Sequence, residues 1–265
     1  MTIGLADVSR ARRALAAVAA LLFLVVAPSG AAGDEKEEKP KQKEAVVHVG
    51  DDEAKAALER FQVIADSGDE KALAPALERL SDTPHPLVAK EVEKHFSSSR
   101  STDVKLAALR ALGRWDEGLS GSALKKAFRS KKNEDNPKLY AAIIEAMTES
   151  ETKIPAKTLL DLVPIDASRQ DVNVQKAAVV ALGRMKEKKA VELFIKIWEQ
   201  DPNAQPANPG PTDPPASYWK AVWERWAAVG EPLKAAMKEI TGETFESGKA
   251  AREWYRKNKN RLRIP

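Results

Sequence analysis

The groups in this chain that could move a proton or hold a metal are three histidines, His48, His85 and His95, and 39 acidic residues, so their spacing decides what chemistry is open to it. No two histidines stand four apart around a glutamate, the pattern that puts two zinc ligands and a general base on one helix face. His95 follows Glu91 by four positions, which on a helix makes a side-chain pair rather than a ligand set. There is no Gly-rich phosphate loop and no Gly-x-Ser-x-Gly elbow. The absence of cysteine removes thiolate nucleophiles, thiolate metal sites, disulfides and an N-terminal lipid anchor. Carboxylates are scattered as on the solvated faces of amphipathic helices, and no catalytic residue, cofactor or metal is expected.

Binding is better supplied than catalysis. "KKAFRSKK" carries Lys125, Lys126, Arg129, Lys131 and Lys132 with no acid among them, and the C-terminal stretch carries Lys249, Arg252, Arg256, Lys257, Lys259, Arg261 and Arg263 against Glu253 alone. Either cluster suits an anionic polymer or lipid headgroups, with affinity falling steeply as salt rises. A helix end and a chain terminus also collect such residues for dipole and solubility reasons. "YWKAVWERW" places Trp219, Trp223 and Trp226 at i, i+4 and i+7, one stripe of a helix. Two uses are open for it: a capping core received by Leu233, Met237 and Ile240, or an exposed aromatic groove for a peptide or glycan. The preceding "DPNAQPANPGPTDPPAS" is too rich in proline for helix or central strand. It is an extended loop, either a stiff excursion or a PxxP ligand through Pro211 and Pro214.

These side chains must be positioned by helices. Hydrophobic residues make up 43% of the chain and charged ones 31%, while aromatics are only 6%, a balance that suits closely packed helices better than a sheet. At a spacing of 35 residues, Leu77, Leu112, Met147 and Leu182 fall in register. So do Ala76, Ala111, Ala146 and Ala181; Ala72, Ala107, Ala142 and Ala177; and Ala74, Leu109, Ile144 and Val179. A period in this range belongs to stacked helix pairs, none of which could bury its apolar face alone. In the second copy Asp103 is the expected N-cap and Gly113 the left-handed stop, with "SALKKAF" returning as the partner helix. The first copy has Pro75 inside its helix, the third lacks the glycine, and Asp51 or Asp52 is expected to cap a leading helix.

"DVKLAALRALGRW" and "DVNVQKAAVVALGRMKEKKAVELF" resemble HEAT-like repeats of the short bacterial type also found in bilin-lyase-like proteins, in which Asp and Val precede an Ala-rich helix ending Ala-Leu-Gly. The resemblance covers about residues 69 to 200. It implies a right-handed superhelical scaffold used for protein contacts, and carries over no catalytic residue because the shared motif is structural. The ending "ITGETFESGKAAREWYRKNK" is similar to the closing segment of some exported bacterial repeat proteins, which implies that Trp254 packs back onto the tryptophan layer.

The first residues have another task. Arg10, Arg12 and Arg13 precede the uncharged run Ala14 to Ala27 and then small residues, the order of a secretory signal peptide. The run is shorter than the roughly 20 residues that span a bilayer, so cleavage near Ala32 or Gly33 is expected over an uncleaved membrane anchor. Cleavage removes those three arginines and Asp7, taking the formal net charge from +4 to +2, which makes nucleic acid a poor partner. The expected organisation is a signal peptide at 1–32, a charged disordered tether at 33–50, a capping helix and four repeats at 51–200, a Pro-rich loop at 201–217, and Trp-rich capping helices at 218–265. The fold class expected is all-α, an α-solenoid of antiparallel HEAT-like helix pairs with an armadillo-type superhelix. The function expected is a non-catalytic exported scaffold holding a protein partner in the cell envelope, periplasmic or extracellular. An anionic-polymer or membrane-surface binder is the second reading, and an accessory or lyase-like enzyme the third.

Overall fold

The structure, a computed structural model, describes residues 47–97, 100–164, 171–202 and 216–262. The chain divides into two units, Met1–Glu44 and Ala45–Pro265, and all described residues belong to the second. The leader, most of the tether, positions 203–215 of the Pro-rich segment, Arg263 and the Trp219 side chain lie outside the described residues.

The described residues are all-α, with no strand among them. The helices are α1 (Asp51–Asp66), α2 (Glu70–Leu80), α3 (Pro86–Ser97), α4 (Thr102–Arg114), α5 (Glu117–Phe128), α6 (Lys131–Glu134), α7 (Pro137–Glu149), α8 (Ala156–Asp161), α9 (Val172–Arg184), α10 (Ala190–Trp198), α11 (Ala216–Thr241) and α12 (Gly248–Leu262). Short polar side chains start many of them. Asp69, Asp116, Asn136 and Asp171 each accept a hydrogen bond from a first-turn backbone N–H of α2, α5, α7 and α9. In α4 that role falls to Ser101, whose Oγ accepts from the Val104 N–H at 3.5 Å; Asp103 sits inside the first turn instead, where its charge meets the positive helix end. Asp51 and Asp52 likewise lie in the first turn of α1, behind Gly50, and supply no cap.

Packing follows the 35-residue register. α1 lies on α2, α2 on α4, α4 on α7, α7 on α9 and α9 on α11, while α3, α5, α8 and α10 each lean on the helix that precedes or follows them in this row. Leu77, Leu112, Met147 and Leu182 are all 1% exposed or less, and so is Met237 of α11. The alanines in register beside them, with Ala236 in the fifth place, are at most 5% exposed. The second half of α11 is therefore another first helix, with Ala236 lying 55 positions after Ala181 rather than 35. α12 packs on α10, which also meets α11.

The repeat glycines do something other than end helices. Gly113 lies inside α4 and Gly183 inside α9, and neither is among the residues with positive φ. A Cβ on Gly113 would come 3.0 Å from the Ala146 Cα and 3.0 Å from Glu149 Oε2; one on Gly183 would come 2.8 Å from the Ala236 Cα and 3.3 Å from Glu239 Oε2. The two contacts are the same, glycine against the Ala-x-x-Glu of the next first helix, and they let backbones approach at two interfaces of the row, α4 on α7 and α9 on α11. The left-handed stops fall further on, at Glu151 (φ 60) and Lys186 (φ 50), two residues past the ends of α7 and α9. At the second of these, the Glu187 N–H reaches the Leu182 carbonyl at 3.0 Å and the Lys186 N–H the Gly183 carbonyl at 2.8 Å, a Schellman closure.

Candidate functional site

Ala-rich helices packed through glycine leave little volume between α4 and α7 on the side away from α5, and charged side chains stand around the hollow that results. This groove has a volume of about 680 Å³. On α4 it is lined by Leu106, Leu109, Arg110 and Arg114. On α7 the lining residues Lys138, Ala141, Ala142, Glu145, Ala146 and Glu149 follow one helical stripe, and Asn173 of α9 closes one end. Leu106, Leu109, Ala141 and Ala146 are buried, so the floor is apolar and only Ala142 among the small residues is half open.

The cations of the groove are held by acids of preceding helices. Arg110 Nη1 donates to Glu78 Oε1 at 2.7 Å, Arg114 Nη1 donates to Ser81 Oγ at 2.8 Å and lies 3.5 Å from Asp82, and Lys138 lies 3.8 Å from Asp103. Among the described residues, no cation lies within ion-pair distance of Glu145. Desolvation, with the like charge of Glu149 one turn on, raises its pKa above the ordinary carboxylate value; Lys176 and Arg110 act against that from further away. Each cation thus leans toward the helix before it, and the row Glu78, Arg110, Glu145 crosses three successive first helices.

The residues singled out in the sequence are placed elsewhere and apart from one another. Lys125 is paired with Glu117 at 2.6 Å and Lys126 with Glu93 at 3.3 Å, so acids from outside "KKAFRSKK" neutralise much of that cluster; Arg129 is exposed just past α5. Arg256 and Lys257 are exposed on α12, where Arg252 grips Glu199 through Nε at 2.9 Å and Nη2 at 2.6 Å. That guanidinium holds the Glu199 carboxyl below its usual range. Of the tryptophan stripe, Trp223 is 46% exposed, while Trp226 is half-buried with its ring over Gly230. Leu233 and Met237 do not receive these rings: they are further along the same continuous helix, and they are buried in the core beside α9. The deeply buried tryptophans are Trp115, whose Nε1 donates to the Ser81 carbonyl at 2.9 Å, and Trp198, which meets Phe245 edge-on; Phe245 in turn meets Trp254.

The three histidines bind three different carboxylates. His48 Nε2 is 3.2 Å from Asp116, and His95 Nε2 is 3.1 Å from Glu91 with its ring edge-on to Phe61. His85 accepts the Leu87 N–H at Nδ1, so its Nε2 carries the hydrogen that faces Asp51 at 3.0 Å. No group of three or more metal-ligating side chains occurs among the described residues. No described helix is long and apolar enough to cross a membrane.

The groove residues escaped the sequence reading, although a signal existed. Arg110 and Glu145 share one position of the 35-residue register, each between two buried apolar residues, Leu109 and Ala111 or Ile144 and Ala146, so a charge at that position marks the outward lip of a first helix. No family model, curated protein or solved structure matches the chain.

Proposed function

We propose that this chain is a non-catalytic α-solenoid of HEAT-like helix pairs, exported by its N-terminal leader, that holds a protein partner along the groove between α4 and α7. The observation that carries the reading is the groove itself: an apolar floor of small residues rimmed by charges of both signs, on the face formed by successive first helices. The ordered packing of α2, α4, α7, α9 and α11 supports the solenoid, since each first helix meets the one before it and the next. Its volume lies within the roughly 300 to 1,000 Å³ of pockets that enclose most of a small ligand or an anchoring side chain. A test is to fill it. Ala142→Trp is expected to abolish co-purification of a discrete envelope protein with the folded chain, while Ala250→Trp on the exposed side of α12 leaves it intact. Equal recovery with both variants would remove the groove from the function.

A second reading has its own observation. Arg256, Lys257, Lys259 and Arg261 are all exposed on α12 with Glu253 as the acid among them. An anionic envelope polymer or lipid surface could be held there, and binding would then fall steeply with salt. Retention on anionic vesicles that is lost on changing Arg256 and Lys257 to Glu, with capture of the protein partner unchanged, would establish it as a separate activity.

A further inference from the structure

We infer that the α4–α7 groove accepts a segment of the partner that presents a single lysine or arginine between small or apolar side chains, with its cation seated at Glu145. The inference rests on the groove being the partner site and names the chemistry that fits it.

Three features of the groove converge on this occupant. Both arginines of the α4 wall are turned back toward α2, with Arg110 on Glu78 at 2.7 Å and Arg114 on Ser81 at 2.8 Å, so neither meets Glu145 across the groove. Among the described residues no cation lies within ion-pair distance of Glu145, on which Lys176 and Arg110 act only from further away. The floor is made of Leu106 and Leu109 of α4 with Ala141, Ala142 and Ala146 of α7, which gives the aliphatic stem of a long cationic side chain an apolar bed while its head reaches the carboxylate.

The same geometry limits the partner to one cation. Arg110 and Arg114 stand on the opposite lip and Lys138 lies two turns before Glu145 on the same helix, so a second basic residue in the segment would face like charge within the groove. A run of lysines is therefore a poorer ligand than one lysine flanked by alanine or leucine. Discrimination of that kind separates a seat from general attraction to an acidic surface.

The probes are fluorescein-labelled heptapeptides with alanine and leucine at the flanking positions and each natural residue in turn at the centre, with heptalysine alongside. Binding is read by polarisation against the full chain, and circular dichroism confirms that each variant is folded. The expected result is that lysine- and arginine-centred peptides bind at least about tenfold tighter than the methionine-centred one, a difference of about 1.4 kcal/mol. Glu145→Gln should erase that preference and Glu59→Gln on α1 should leave it. Peptides that are displaced by Ala142→Trp but show no preference for a cation would overturn the inference and leave the groove as the partner site. Binding that ignores Ala142→Trp would overturn both. Heptalysine binding as tightly as the single-lysine peptide, or no peptide binding at all, would also overturn the inference.

Discussion

Glycine and alanine decide how closely the first helices approach, and they do so at positions where a stop signal is the natural reading. Gly113 and Gly183 precede the ends of α4 and α9, which is where a left-handed residue is expected, yet their role is the missing Cβ. Gly183→Ala would set a methyl 2.7 Å from the Ala236 Cβ, and overpacking of this kind costs about 1–3 kcal/mol, more than the gain in helix propensity of about 1 kcal/mol. A lower melting temperature is expected. Lys186→Gly should do the opposite, relieving a left-handed backbone that costs a side-chain-bearing residue about 1–2 kcal/mol, less the entropy glycine adds to the unfolded chain. A raised melting temperature in Gly183→Ala would contradict the close approach of α9 and α11, and a lowered one in Lys186→Gly would contradict the strain assigned to Lys186.

His95 gives the fold a pH dependence whose sign can be worked out. Burial, with help from Arg100 and Lys94, holds its pKa below 6.5 against the opposing pull of Glu91. The unfolded chain therefore takes up a proton at a pH where the folded one does not, and stability falls as pH drops through about 6.5 toward the folded value. Melting from about pH 8 down to about pH 5.5 should show this decline, and His95→Gln should flatten it. An unchanged slope in His95→Gln would assign the dependence to other groups.

The helices differ in how plainly they are written. α4, α7 and α9 follow from the 35-residue register because Leu112, Met147 and Leu182 carry it together with their alanines. α2 keeps the register despite Pro75, whose missing N–H leaves one hydrogen bond unmade in a short helix. The fifth first helix was hidden because a Pro-rich stretch and three extra tryptophan-bearing turns shift it out of phase. Only the contact of Gly183 with Ala236 shows what the end of α11 is. Met237→Ala and Leu182→Ala should accordingly each cost about 2–5 kcal/mol, measured by denaturant unfolding. A cost under about 1 kcal/mol would make α11 an appendage. The tryptophan stripe belongs to the extra turns: Trp223→Phe should leave stability within about 0.5 kcal/mol, because nearly half of that side chain is in solvent. α12 is fixed through the fork of Arg252 on Glu199, and Arg252→Lys, which loses the paired geometry, should speed amide exchange in α12 and leave α4 and α7 unchanged.

Taken whole, the described unit is a row in which each first helix meets the one before it and the one after; in the proposed solenoid, stability would be a sum of neighbour interfaces. At one end of the row α1 packs on α2, and at the other α11 packs on α9 and α12 on α10. The candidate site sits in the middle of the row, and it was illegible in the sequence for a physical reason. Arg110, Glu145 and their neighbours are ordinary exposed charges along the chain, and become a bipolar groove only when Gly113 brings α4 against α7. The basic clusters and the tryptophans were conspicuous because their residues are contiguous.

The most direct measurement is site-specific photocrosslinking in the producing cell, with a benzophenone amino acid placed in turn at Lys138 in the groove, at Trp223 on the aromatic stripe and at Lys257 on α12. A discrete adduct to one protein from Lys138, absent from Trp223 and Lys257, is the expected result. Adducts from Trp223 or Lys257 with none from Lys138 would contradict the assignment of the groove and move the binding surface to the stripe or to the basic helix.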